Sequence, residues 1–427
     1  MSKLNIGTDL YLKGRIGWKG LSKSEYLTNS DYKIINATAL MDGYINWDNC
    51  GFITKERYEE SQEIMLQEKD ILISKDGTLG KIGYVKNLTK PCTVASGVFV
   101  LRNTIPERLN FDYLYHLLKS NIFKDFINKN KASGSTINHL YQKDLSRFEI
   151  EIPNINIQNK ISSLLNKIDD KIELNNNTNS ELENIAKTIY DYWFLQFEFP
   201  NEKGKPYKSS GGKMVWNEEL KKEIPEGWKL ISIKECIQHI KTGLNPRNNF
   251  KLGTGNIKYI TVKNLTTSGN INFSNCDLID EEARIIVNNR SEIKKGDILF
   301  ASIAPLGRCF IIQENPKDWD INESVFTIRP NYDKISSEFL YMFFMSEYFI
   351  KKAEASSTGS IFSGIRINTI GNMKILIPDK KIIDSFTDKV NNLFYNKFKN
   401  NQESQELISL RDYLLPLLMN GQIGFKE

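Results

Sequence analysis

The chain repeats itself about half its length apart, and this constrains its architecture more than any other feature. "KDILISKDGTLGK" at residues 69–81 returns as "GDILFASIAPLGR" at 296–308, an offset of 227 (297 − 70). "YINWDNCGFITKE" (44–56) pairs with "NINFSNCDLIDEE" (270–282), "SGVFVLR" (96–102) with "ESVFTIR" (323–329), and "FEIEIP" (148–153) with "MKILIP" (373–378). Ser133-Gly134-Ser135 matches Thr358-Gly359-Ser360. The order is kept, and the offset drifts only from 227 to 225 (373 − 148). A period this long marks a duplicated domain-sized unit, not a solenoid of roughly 20–50-residue repeats. A chain of 427 residues has room for it, at ~150 residues per domain.

Each copy begins strand-like. Short Ile-, Val- and Phe-rich runs bounded by Gly, Asn or Pro predict strands at 70–73, 82–85, 98–102 and 148–152, and again at 257–262, 297–301, 309–312, 325–329 and 373–377. One helix per copy is predicted from apolar spacing, at 111–127 and 337–353. Each copy then ends in a long heptad helix. The first keeps Ile161, Ile168, Asn175, Leu182 and Ile189, with a companion series Leu165, Ile172, Asn179, Ala186 and Trp193. The second keeps Phe386, Leu393, Asn400, Leu407 and Leu414, with a weaker series Val390, Lys397, Ser404, Arg411 and Leu418. A heptad sustained this long is a coiled-coil signal, and a seam asparagine trades stability for register. If the helices run antiparallel, Asn175 and Asn400 are placed to meet. Residues 198–226, rich in Gly, Ser, Lys and Pro, read as an exposed connector.

Catalytic chemistry is hard to find. The three histidines, His116, His139 and His239, sit in no metal or nucleophile pattern, and the five cysteines show no CxxC spacing. There is no GxxxxGK[ST] and no GxGxxG. The start, "MSKLNIGTDL", lacks a signal-peptide core, no apolar run reaches the ~18–20 residues of a membrane helix, and a reducing cytoplasm is the expected setting. The net charge of +5 is mild, but it is concentrated. Residues 3–23 hold five cations, including Arg15 and Lys19, against one acid; 119–147 hold six against two; 241–263 hold five, including Lys241, Arg247 and Lys263, against none. Cations set among Asn, Ser, Thr and Gly suit phosphate contact, with amides and hydroxyls left to read base edges.

With these stretches in hand, the chain resembles the specificity subunit of type I restriction-modification enzymes over essentially its whole length. "GRIGWKGLSKSEY" (14–26), "SGSTINHL" (133–140), "IPEGWK" (224–229), "GDILFASIAPLGR", "TGSIFSGI" (358–365) and "LRDYLLPLLMNGQI" (410–423) carry the resemblance together. It implies an α+β fold: two β-rich target recognition domains (1–153 and 227–378) held apart by two antiparallel coiled-coil helices (154–197 and 379–427), with a connector at 198–226, in pseudo-two-fold arrangement. The family reads a bipartite DNA duplex and is not itself catalytic. It implies two methyltransferase subunits as partners, and restriction subunits in the full complex, with no membrane. No cofactor is implied for this chain; S-adenosylmethionine, ATP and Mg belong to the partner subunits. DNA contact is implied for Ser74 to Thr78 (including Lys75), Lys81, Ser133, Gly134, Ser135 and Thr136. In the second copy it is implied for Ser302, Arg308, Thr358, Gly359, Ser360 and Arg366. Gly77-Thr78 becomes Ala304-Pro305 there, which removes a hydroxyl and a backbone donor. The aromatic run Tyr190, Trp193, Phe194 and Phe197, with Leu415, Leu417 and Leu418, offers more apolar surface than one seam needs, and is the expected methyltransferase docking surface.

Overall fold

A computed structural model describes residues 2–15, 20–41, 43–130, 139–356 and 364–425. Two compact units emerge: Met1–Ile172 with Gln405–Glu427, and Glu173–Ser404. The cut falls within the long helices, not at their ends, so each unit takes part of both.

In the first unit the strands are β1 (Ser2–Asn5), β2 (Tyr11–Gly14), β3 (Tyr32–Ile35), β4 (Gly51–Ile53), β5 (Ile71–Ser74), β6 (Ile82–Tyr84), β7 (Cys92–Val94), β8 (Val98–Arg102) and β9 (Glu149–Ile152). They form a four-stranded antiparallel sheet ordered β2-β8-β5-β6, a three-stranded sheet β4-β3-β7 with β3 and β7 parallel, and the pair β1-β9. Strand β5 is buried along its whole length, as a continuous apolar run demands.

The second unit opens with a hairpin, β10 (Met214–Asn217) and β11 (Lys222–Pro225). It continues with β12 (Lys229–Ser232), β13 (Ile237–Thr242), β14 (Ile257–Ile260), β15 (Asp277–Ile279), β16 (Ile298–Ala301), β17 (Cys309–Ile311), β18 (Trp319–Ile321), β19 (Val325–Pro330) and β20 (Lys374–Ile377). Its sheets are β13-β19-β16-β17, β15-β14-β18 and β12-β20. This is the topology of the first unit strand for strand, down to the parallel pair β14-β18. The hairpin is the addition. Residues 198–226 are therefore not a bare connector. Phe199 stacks on Tyr207 with ring centroids 4.5 Å apart, and Phe197 meets Trp228 edge-on at 5.3 Å, fastening the segment to the second unit.

The helix predicted in each copy is two helices. In the first unit they are α1 (Phe111–Lys119) and α2 (Asn121–Asn130). The second unit has α3 (Glu281–Ser291), a longer counterpart of the first unit's short helix Lys55–Glu59, and then α4 (Ser337–Phe344) and α5 (Glu347–Ala355). A serine makes each break. Ser346 Oγ accepts the Phe349 N–H at 3.3 Å, an N-cap that starts a new helix, and Ser120 Oγ donates to Leu117 O at 2.6 Å. Apolar periodicity runs through both breaks and hides them.

The two long helices span Ile155–Tyr190 and Lys380–Met419. Within each unit they pair antiparallel: Asp169 meets Arg411 in the first, while Asn175 meets Ser404, Asn179 meets Asn400 and Glu183 meets Lys397 in the second. The predicted seam is the buried face. Ile161 and Leu165 pack with Leu415 and Leu418 in the first unit's core, Ile168 is buried, and Ala186 packs with Phe386 and Val390 in the second's. Asn175 Nδ2 reaches Asn400 O at 3.4 Å and Glu403 Oε2 at 2.8 Å, and Asn400 Nδ2 donates to Asn179 Oδ1 at 2.9 Å. The series weakest in sequence is deeply buried, because Lys397 and Ser404 carry their own hydrogen-bond partners.

Candidate nucleic-acid interface

The loop that follows β5 is built by its own side chains. Ser74 is fully buried; its Oγ donates to Thr78 O at 2.6 Å and accepts the Lys81 N–H at 2.9 Å. This closes a turn whose tip, Gly77 and Thr78, is exposed, with Gly77 at φ +71° and open space where a Cβ would stand. Lys75 is half-buried with its ammonium 4.9 Å from the Phe99 ring centroid, and burial lowers its pKa. Across from it, Leu140 N donates to Lys75 O at 2.9 Å, and Asp76 pairs with His139.

The second unit repeats the backbone of this arrangement with different side chains. Ile365 N donates to Ser302 O at 2.8 Å, and Ile303 bridges Gly364 as Asp76 bridges His139. Each motif loop is thus tied to the residue that follows one of the matched polar stretches. Those stretches themselves, with Ser133, Gly134, Ser135 and Thr136 in one copy and Thr358, Gly359 and Ser360 in the other, lie outside the described residues, as does Lys19. The Asp76–His139 pair escaped the sequence reading because its counterpart, Gly364, has no side chain to repeat.

Burial sorts the remaining expectations. Thr78, Arg247, Lys263 and Arg366 are exposed, and Lys81 is half-exposed. These can meet a phosphate backbone as they stand. Arg15 is a correction: it is 2 % exposed, and its Nε donates to Val94 O at 3.0 Å. Ser302 is another, for it is buried with its hydroxyl on Ser324 O at 2.8 Å. Arg308 spends its guanidinium on Val262 O at 2.7 Å and Pro305 O at 3.1 Å, tying one loop to the next. The basic run 241–263 is less free than its sequence suggests. Lys241 pairs with Glu292, whose carboxyl is held down to about 2 by Lys241 and Lys294, and Lys258 pairs with Asp318.

The repeated "DIL" stretch has a structural explanation. Asp70 takes both forks of Arg102, at 2.8 and 2.7 Å, and also accepts the Gln67 N–H. Asp297 does the same with Arg329, at 2.7 and 2.8 Å, and with Lys294 N. A buried carboxylate saturated by a bidentate arginine and a backbone donor is held in place on both sides. The repeated glycines Gly80 (φ +74°) and Gly307 (φ +84°) are turn positions against Ile127 and Ile350.

The aromatic docking surface is corrected as well. Tyr190, Trp193, Phe194 and Phe197 are each 4–5 % exposed, in a cluster with Phe339, Phe386 and Trp228 of their own unit. Leu415 and Leu418 are buried in the first unit's core and Leu417 is half-buried. Among the exposed apolar side chains on or just beyond these helices are their neighbours Ile185 (47 %), Leu195 (49 %), Leu410 (46 %) and Tyr413 (67 %), with Ile157, Leu174 and Tyr395 exposed further along. Among the described residues no cluster of His, Cys, Asp and Glu is suited to a metal, and no helix is long and apolar enough to cross a membrane.

Comparison with known proteins agrees with this architecture. The family model of the type I restriction modification DNA specificity domain matches twice, over residues 17–184 and 225–408. The MjaIX type I restriction enzyme specificity subunit of Methanocaldococcus jannaschii is 28% identical over 382 residues, covering 88% of this chain and 82% of its own. The HindI specificity subunit of Haemophilus influenzae is 24% identical over 362 residues, covering 73% of this chain and 77% of its own. In fold, the chain is similar to the crystal structure of a type I restriction-modification S subunit from M. genitalium, with a TM-score of 0.57 at 17% identity, covering 98% of this chain and 95% of that one. Two matched specificity domains on one duplicated topology place this chain in the type I restriction-modification DNA specificity family.

Proposed function

We propose that the chain reads a two-part DNA sequence, one part through each unit, and carries methyltransferase and restriction subunits to it without chemistry of its own. The observation that carries this reading is the repeated tie between motif loop and matched polar stretch, Leu140 N to Lys75 O and Ile365 N to Ser302 O. Two copies of one loop scaffold, presenting different side chains, suit two short sequences of different composition. Exposed Arg247, Lys263 and Arg366 supply phosphate contacts in the second copy, and Thr78 and Lys81 supply contacts in the first. S-adenosylmethionine, ATP and Mg then belong to the partner subunits.

The two methyltransferase subunits dock on the helices through the outward residues, not the buried aromatics. Ile185 and Leu410 are equivalent in the duplication, at an offset of 225 (410 − 185), and nearly equally exposed. Matched apolar positions in matched copies suit two copies of one partner.

The test is binding of the chain with its methyltransferase partner to random duplexes and to its methylated site over a salt series. Affinity should fall steeply with salt, with a log–log slope of ~0.9 per neutralised phosphate, and the specific site should keep an advantage throughout. Equal affinity for every duplex at every salt concentration would overturn the reading.

A further inference from the structure

A recognition unit can read one half of a split target at a fixed gap only if its sheets cannot rock on the helices. The loop between β3 and β4 shows how that is arranged. In the first unit it crosses Gly43, at φ +95°, where an added Cβ would stand 2.7 Å from the Tyr115 hydroxyl. Tyr115 donates to Gly43 O at 2.8 Å. Lys119 donates to the Tyr115 hydroxyl at 3.2 Å and reaches Asp169 on the central helix at 3.4 Å. Arg411, on the C-terminal helix, takes the other oxygen of Asp169 at 2.9 Å. Loop, α1 and both long helices are joined in one chain of polar contacts.

The equivalent loop of the second unit, between β14 and β15, crosses Gly269 at φ +64°, with the hydroxyl of Tyr341 2.2 Å from the position of an added Cβ. Glycine and tyrosine are therefore repeated, each at an offset of 226 (269 − 43, 341 − 115). The cation is not repeated. Position 345, the counterpart of Lys119, is methionine, and position 394, the counterpart of Asp169, is phenylalanine. Lys397 takes over from the C-terminal helix. It is 6 % exposed, donates to Ser268 O at 2.6 Å and pairs with Glu183 on the central helix. Asn401 beside it donates to Asn270 Oδ1 at 2.5 Å.

Duplication alone would have copied the same lysine and the same acid. Instead, two different sets of residues tie the same loop to both helices. An unpaired lysine is expensive to bury, so Lys397 is an improbable seam residue unless its contacts matter. We infer that Lys119 and Lys397 are positioning residues that lock each recognition unit to the helices, so that the gap between half-sites is set by these ties as well as by helix length. This rests on the bipartite reading above.

The test is Lys397→Met, with Lys397→Arg as its conservative control, and, separately, Tyr115→Phe, in the full complex, with methylated sites sequenced across a genome. Lys397→Met keeps the bulk of the side chain and leaves Glu183 near solvent. Each tie-breaking variant should keep the bases read in both halves and broaden the gap, with at least a tenth of methylated sites spaced one base pair from the parent length. Lys397→Arg should keep the parent gap. A folded variant, checked by its melting transition, with reduced methylation at an unchanged single gap would show the ties to be structural only and overturn the inference. If Lys397→Met fails to fold it is replaced by Asn401→Ala, which removes the bond to Asn270 in the same loop, and if Tyr115→Phe fails to fold it is replaced by Lys119→Met, each judged by the same gap distribution. A continuous parent motif with no gap would overturn the bipartite reading itself, a result distinguishable from either.

Discussion

Arg15, Ser302 and Arg308 carry the sequence signature of DNA contact, yet the structure spends them on Val94, Ser324 and Val262. Cations and hydroxyls serve equally well as donors to stray carbonyls, and sequence does not record which carbonyl is nearby. The paired aspartates are the reverse case, since their repetition drew attention to a motif whose role is support. Asp297→Asn, which removes the bidentate carboxylate of Arg329 and leaves it only the longer pair with Glu292 at 3.5 Å, should cost about 1.5–3 kcal/mol, read as a lower urea midpoint, while the bases methylated stay the same. His116 gives a pH test. Burial lowers its pKa from 6.5 to about 4, with its Nε2 on Asn166 at 2.7 Å. A folded-state pKa below the unfolded one means that protonation favours unfolding. The stability is complete above pH 6.5 and is lost as pH falls towards 4. His116→Gln should therefore remove about 2 kcal/mol of the difference in unfolding free energy between pH 7 and pH 5. An unchanged difference would place the acid sensitivity elsewhere.

At the level of elements, the strands expected from sequence stand within about two residues of their places, 98–102 as it is and 297–301 as Ile298–Ala301, but β1–β4 and β7 in the first unit and β10–β13, β15 and β18 in the second lie outside those expectations, being short or less apolar runs. Buried Ile and Val runs leave little choice of partner face. The misreadings came from residues that act locally. Ser120 and Ser346 split helices whose apolar spacing never falters, and Phe199, Tyr207 and Trp228 fold a stretch that Gly and Lys had marked as a connector. The long helices were read correctly on their inner face, but their aromatic excess was assigned outwards when Phe339 and Phe386 absorb it. This separates two sets of variants. Trp193→Asp buries a charge and should unfold the second unit, seen as loss of its melting transition. Ile185→Asp and Leu410→Asp should melt within a degree or two of the parent, yet each should reduce the methyltransferase subunits that co-purify from two to one. Retention of both subunits by the double variant would remove these residues from the interface.

For the whole molecule, duplication is the dominant fact, and it was legible because strand order, offset and heptads all repeat. What the repeat could not show is where the copies diverge in use, as Lys119 and Lys397 do. If the target is bipartite, helix length should be its coarse ruler. Four residues inserted near Asn176, with four near Asn401, add ~6 Å to each helix, equivalent to one or two base pairs at ~3.4 Å each. The gap should lengthen accordingly while the bases read in each half persist. The most direct test of two independent readers on one chain is an exchange. Residues 227–378 are replaced by the corresponding segment of another specificity subunit, and the adenine-methylated sites of cells carrying parent and exchanged complexes are sequenced. Two readers require a split motif in which one half changes to the donor's, while the other half and the gap stay as in the parent. A continuous motif, or a change in both halves, would contradict it.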